Sequence, residues 1–188
     1  MSNPLLEAPP RDVALLFTAE EIARKVVSLA DEIASATADP FTAVIILKGA
    51  FMFGADLIRA LSRRGRRPRV EFIRLGSYGD ALQTSGTVSL RSGPPAGIEG
   101  RPVLIVDDVL DSGLTLLEAK RLIESCGAAE VRTCVLVRKE GKQKVPVRVD
   151  FVGFTIGDRF VVGYGIDCAE NYRDLPYLGA VDSVDSTG

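Results

Sequence analysis

The chain has 188 residues, with 23 basic and 25 acidic side chains and a formal charge of −2. One domain with a sizeable core is expected at this length, and the near balance of charge gives no footing for a nucleic-acid or membrane partner. Histidine is absent, which removes Ser-His-Asp triads, Cys-His pairs and His-ligated metals and leaves acid–base work to Asp, Glu, Lys, Tyr or Cys.

Residues 1–17 open Pro-rich and irregular, although Val13–Phe17 is apolar enough to lie against a core. The first ten residues lack the basic and apolar regions of a secretory signal, and no apolar run reaches the length of a membrane span. Cys126, Cys134 and Cys168 are scattered, without zinc-ligand spacing, so a reducing cytoplasm is the expected setting.

Thr18-Ala-Glu-Glu21 matches a capping box, and Ile22, Val26, Leu29 and Ile33 follow at helical spacing. This predicts a scaffold helix ending near Thr37. Thr42–Leu47 is a continuous apolar run, the pattern of a strand covered on both faces. Lys48-Gly49 closes that strand and is a weak anion-site candidate. A second helix over 50–63 is expected to turn Phe51, Leu57 and Leu61 inward. The basic cluster from Arg63 to Arg69 suits a solvated helix end.

Residues 70–75 read as a strand, and the small, polar stretch 76–91 reads as a hairpin. Val103 to Val106 reads as a buried strand with Asp107 and Asp108 at its end. Asp111, Ser112, Gly113 and Thr115 make a tight turn, and a helix over 115–126 follows. Residues 130–138 and two short runs, 150–156 and 160–164, read as later strands. Residues 140–145 look like a surface loop and 182–188 like a frayed tail. Strands alternating with helices predict an α/β fold: a mainly parallel twisted sheet flanked by helices, with the late strands in a small appended lobe.

The stretch 103–116 carries the chemistry. It lacks the Gly and Lys spacing of a Walker A loop and the Gly-x-Gly-x-x-Gly of a dinucleotide site. What remains is a cradle of backbone N–H groups with two hydroxyls, suited to one phosphate monoester. Side chains alternate along a strand, so Asp107 and Asp108 do not both enter one core face. Two adjacent acids at the end of a buried strand are costly to hide unpaired, which favours a binding role such as holding sugar hydroxyls.

Together these residues resemble the type I phosphoribosyltransferases. Residues 103–115 look like the family's diphosphoribosyl-binding motif. Ser77-Tyr78, Asp150-Phe-Val-Gly-Phe154, Phe160-Val-Val-Gly-Tyr-Gly-Ile-Asp167 and Tyr172-Arg-Asp-Leu-Pro-Tyr-Leu178 resemble the hypoxanthine-guanine branch. The resemblance implies a single domain over 1–188, with a core of about 18–138 and a purine-binding hood from the strands of 150–180. It implies Mg2+-dependent purine salvage, transferring 5-phosphoribosyl from phosphoribosyl diphosphate to hypoxanthine or guanine in a cytoplasmic homo-oligomer.

By position, the resemblance gives Asp111 proton transfer at purine N7, and Asp107 and Asp108 the ribose hydroxyls. Asp111, Ser112, Gly113, Leu114 and Thr115 wrap the 5′-phosphate. Lys48, Gly49 and Arg173 meet the diphosphate, with Leu47–Lys48 a candidate cis peptide whose isomer the sequence leaves open. Ser77 and Tyr78 start a lid. Lys139 donates to the purine 6-oxo group, Phe160 stacks on the base, and Val161 and Asp167 complete the purine site. Asp167 ligates the metal, with Asp107 and Asp108 as further candidates through the ribose diol. Asp107 stands where many members carry Glu, Leu114 where others are polar, and Cys168 where an aromatic is frequent. The nearest alternative is an RNA-binding attenuator of the same superfamily, whose loop also reads Val-Asp-Asp-Val-Leu. The C-terminal stretches and the lack of positive charge argue against it.

Overall fold

Residues 12–77, 88–90 and 95–181 are described by the structure, a computed structural model. β1 (Val13–Phe17), the apolar stretch expected against the core, forms a strand because it finds a partner near the far end of the chain. α1 (Ala19–Ala36) starts at the capping box read from the sequence. Thr18 Oγ1 accepts from the Glu21 N–H at 3.2 Å, and Glu21 Oε2 accepts from the Thr18 N–H at 2.8 Å.

β2 (Thr42–Leu47) leads into α2 (Phe51–Ser62), and β3 (Arg69–Ser77) pairs antiparallel with β4 (Val88–Leu90). The base of the expected hairpin is therefore present; its tip, including Tyr78, lies outside the described residues. β5 (Pro102–Leu110) precedes α3 (Leu114–Ser125), and β6 (Glu130–Lys139), β7 (Phe151–Ile156), β8 (Phe160–Val162) and β9 (Leu178–Val181) complete the order.

The main sheet runs β4-β3-β2-β5-β6-β7, parallel except for β4 at its edge. Alternation along the inner strands decides which helix covers which face. Ala43, Ile45, Leu104 and Val106 pack with α1 and α2 through Ile22, Leu29, Phe53 and Leu57. Val44, Ile46, Val103 and Ile105 pack with α3 through Leu116, Ala119 and Ile123. Continuous apolar runs are what two covered faces require.

Three expectations need correction. Phe51 does not face the core: it is 37% exposed, and Phe53, Leu57, Ala60 and Leu61 are buried instead. The strand through Val103 does not stop before the acids. It continues to Leu110, because Asp107 pairs with Val135 and Val109 with Val137 on β6. The two late strands, read as neighbours, enter different sheets. β7 extends the main sheet beside β6, while β8 joins β9 and β1 in a three-stranded antiparallel sheet. Phe17 of β1 stacks on Phe154 of β7 with ring centroids 3.9 Å apart, fastening one sheet to the other.

The basic cluster is occupied locally. Arg64 pairs with Asp31, Arg66 with Asp39 and Arg69 with Glu71, which fits a solvated helix end.

Candidate active site

The order β3-β2-β5-β6 reverses direction between β2 and β5. In open α/β sheets the crevice beyond the carboxyl ends of strands at such a switch point is where ligands bind. Lys48 and Gly49 leave β2 there, and Asp107 and Asp108 lie in the last part of β5. The Leu47–Lys48 peptide bond is cis.

The two acids part as strand alternation requires. Asp107 is buried, at 4% exposure, while Asp108 is half-buried. Burial raises the Asp107 carboxyl well above the usual carboxylate range, and the charge of Asp108 adds to the rise. Asp107 Oδ1 accepts the Asp108 N–H at 3.0 Å, and Asp108 Oδ1 accepts the Val109 N–H at 2.9 Å. Asp108 lies against Gly49: a Cβ on that glycine would stand 1.6 Å from Asp108 Oδ2.

Asp111 follows β5, and its Oδ2 meets Lys139 Nζ at 2.7 Å. Lys139 is the last residue of β6, so the parallel pairing of β5 and β6 brings this acid and base together. Gly113 then turns the chain into α3 with φ of +83°, a conformation glycine adopts freely. A Cβ there would also come within 2.9 Å of Val147 Cγ1. Ser112 Oγ accepts the Leu114 N–H at 3.4 Å, and Thr115 is exposed in the first turn of the helix. The turn thus leaves helix-start N–H groups and two hydroxyls where an anion is favoured.

The three-stranded sheet supplies the other wall. Phe160 is 45% exposed at the start of β8, with Lys139 Nζ 5.9 Å from its ring centroid, and Val161 beside it is buried. Gly165, at φ of +98°, lies so close to the Gly49 carbonyl oxygen that a Cβ would stand 2.5 Å from it. Tyr164 donates to Asp56 Oδ2 of α2 at 2.6 Å, tying this wall to the main sheet's helices. One cavity of about 220 Å³ is lined by Asp108, Val109, Asp111, Lys139, Phe160, Val161, Ile166 and Asp167. A larger hollow of about 320 Å³, between α1, α2 and Pro176, is lined by no Lys or Arg.

Asp167, which lines the cavity, is paired with Arg173. Arg173 Nη2 lies 2.8 Å from Asp167 Oδ1, and Arg173 Nη1 donates to the Gly165 carbonyl at 2.8 Å. The buried Arg173 Nε has no hydrogen-bond partner. Lys48 Nζ does not stand free: it lies 2.8 Å from Glu170 Oε1, and Arg173 Nη2 lies 3.3 Å from Glu170 Oε2. Glu170 was not singled out in the sequence. It sits in an irregular turn with Ala169, Glu170 and Tyr172 all at positive φ, and no periodicity marks such a position. The nearest signal is an acid three residues before Arg173, between the stretches 160–167 and 172–178 that resemble the family.

Among the described residues, no group of three or more Asp, Glu or Cys is placed to hold a metal by protein ligands alone. Asp167 fits a hard cation of another kind, one held by one or two carboxylates and completed by substrate phosphate oxygens and water. Ser77 ends β3, across the sheet from this cavity's main walls.

The chain is similar to known proteins along most of its length. A family model for the phosphoribosyl transferase domain matches residues 14–169. The hypoxanthine-guanine phosphoribosyltransferase of Aquifex aeolicus is 41% identical over 174 residues, covering 92% of this chain and 96% of that one. The hypoxanthine phosphoribosyltransferase of Escherichia coli is 35% identical over 176 residues, covering 92% and 97%. A solved structure of the Trypanosoma cruzi hypoxanthine phosphoribosyl transferase superposes with a TM-score of 0.85 at 34% identity, covering 94% of this chain and 95% of that chain.

Proposed function

Since this chain belongs to the phosphoribosyltransferase family, we propose that its cavity joins a purine base to an activated ribose phosphate. The enzyme is a hypoxanthine-guanine type phosphoribosyltransferase acting in purine salvage. It transfers the 5-phosphoribosyl group from phosphoribosyl diphosphate to a 6-oxopurine, giving the nucleotide and diphosphate. One observation supports the residue roles best: Asp108, Asp111, Lys139, Phe160 and Asp167 line one cavity. A sugar acid, a proton-transfer acid, a cation for an oxo group, a stacking ring and a metal-binding acid are the groups this reaction needs together.

In this reading the turn 111–115 receives the 5′-phosphate, and Asp107 and Asp108 accept from the ribose hydroxyls. Phe160 stacks on the base, the Val161 backbone meets its edge, and Lys139 donates to the 6-oxo group. Purine N9 attacks ribose C1′ as the bond to diphosphate breaks through an oxocarbenium-like state. Asp111 manages the proton on N7. In the free site its carboxylate is held 2.7 Å from Lys139 Nζ. Lys48, Gly49 and Arg173 hold the departing diphosphate. Asp167 would hold a magnesium ion, which would supply charge neutralisation to that leaving group. Ser77 and Tyr78 begin the lid that keeps water from the activated sugar.

The same reading takes residues 1–188 as one domain that works in the cytoplasm as a homo-oligomer. Among the described residues no helix is long and apolar enough to cross a membrane. The test is nucleotide formation from phosphoribosyl diphosphate and magnesium with hypoxanthine, guanine, xanthine and adenine in turn. Product is expected with hypoxanthine or guanine; no product from any 6-oxopurine overturns the assignment.

A further inference from the structure

The two cations assigned to the diphosphate already hold an anion. Glu170 spans them, with Oε1 2.8 Å from Lys48 Nζ and Oε2 3.3 Å from Arg173 Nη2. Lys48 arrives from the end of β2, while Glu170 and Arg173 come from the turn after β8, 122 positions along from Lys48 for Glu170. The backbone of that turn is set for the contact. Glu170 has φ of +65°, flanked by Ala169 at +49°, and its N–H donates to Asp167 Oδ2 at 2.8 Å. Left-handed conformations at side-chain-bearing residues cost energy and persist only where the surroundings impose them. The main chain of Glu170 is therefore fixed to the metal-binding acid, while its carboxylate reaches across to Lys48.

We propose that Glu170 is a built-in stand-in for the diphosphate, occupying Lys48 and Arg173 until substrate or product displaces it. The inference rests on the assignment of Lys48 and Arg173 to the diphosphate. The pair is open to exchange, since the Lys48 and Glu170 side chains are 46% and 66% exposed. Exposed pairs of this kind are weak, so a doubly charged ligand outcompetes a single carboxylate. Only the Glu170 side chain has to turn aside, because its N–H contact to Asp167 does not involve the carboxylate. Glu170 thereby sets how tightly the free enzyme holds diphosphate, a product that must leave for turnover.

The test is calorimetric titration of the full chain with inorganic diphosphate in magnesium buffer. Glu170→Gln is expected to tighten binding by about two- to tenfold, the range that ion pairs made by a solvent-exposed carboxylate can supply. Glu170→Asp keeps the charge but is one methylene too short to span the cations, so it should tighten binding similarly. In a Lys48→Met background, where diphosphate binds more weakly, the gain from Glu170→Gln should shrink. A Glu170→Asp variant that binds like wild type while Glu170→Gln tightens would mean simple charge repulsion and overturn the proposal. So would unchanged or weaker binding by Glu170→Gln with Lys48→Met weakened. Undiminished binding by Lys48→Met would instead remove Lys48 from the diphosphate site, and the proposal would fall with that assignment.

Discussion

Gly49 and Asp108 share one space. A Cβ on Gly49 would stand 1.6 Å from Asp108 Oδ2 and 2.5 Å from its Cγ, so the carboxylate occupies the place where any other residue would put a side chain. The loop after β2 thereby acts as a stop for the Asp108 carboxylate on β5, across the switch point of the sheet.

Gly49→Ala should therefore swing Asp108 out of the cavity. Displacement of a positioned group by about 1 Å costs on the order of 10²-fold in rate, and that loss is expected in kcat/KM for phosphoribosyl diphosphate. Asp108 is only half-buried and can turn aside, so melting temperature should move little. Steady-state kinetics beside a thermal melt check both; kcat/KM within threefold of wild type would show that Gly49 does not position the acid.

Asp111 and Lys139 form an ion pair at 2.7 Å, yet they should fail differently when changed. Asp111→Asn is expected to lower turnover by about 10²–10⁴-fold, the range for a general acid–base group. Lys139→Met should act on base choice. A hydrogen bond from a charged donor is worth about 1.5–3 kcal/mol, so preference for hypoxanthine over adenine should drop by roughly ten- to a hundredfold. Turnover with the two bases under identical conditions separates the two roles.

Asp107 should make the free enzyme less stable as pH rises. Its folded carboxyl titrates well above the usual range, so above about pH 4 the folded chain holds a proton that the unfolded chain has released. Stability then falls through the window between the two pKa values. Asp107→Asn, assayed without metal or substrate, should melt several degrees higher than wild type at neutral pH, where each 1 kcal/mol is worth about 2–4 °C. The gain should vanish below about pH 4, where both forms of the parent are protonated. Melting curves across that pH range measure it; a gain independent of pH would point to packing instead.

Much of this was legible in the sequence where local chemistry decides structure. The capping box at Thr18 fixed the start of α1, and the unbroken apolar run of β2 announced a strand with two covered faces. The turn at Ser112-Gly113 carried its own φ requirement. What failed depended on distant partners. β5 read four residues too short at its carboxyl end, because Asp107 and Asp108 look like a strand end, whereas hydrogen bonding to β6 carries the strand past them. β1 was unreadable as a strand, since its pairing residues lie on β9. β7 and β8 have similar composition and only three residues between them, yet they belong to different sheets. In the site, proximity of Lys139 to Asp111 follows from strand pairing, and Glu170 from a turn with no periodic signature.

The three-stranded sheet has an effect on the order in which the enzyme is made. β1 lies against β9, and β9 in turn holds β8, which begins with Phe160. Chains emerge from the ribosome N-terminus first and fold as their segments become available. β2, β3, β5 and β6 can pair before β9 has been made, but Val13–Phe17 must wait for Leu178–Val181. The sheet that carries Phe160 therefore closes on β1 only after Leu178–Val181 has been made.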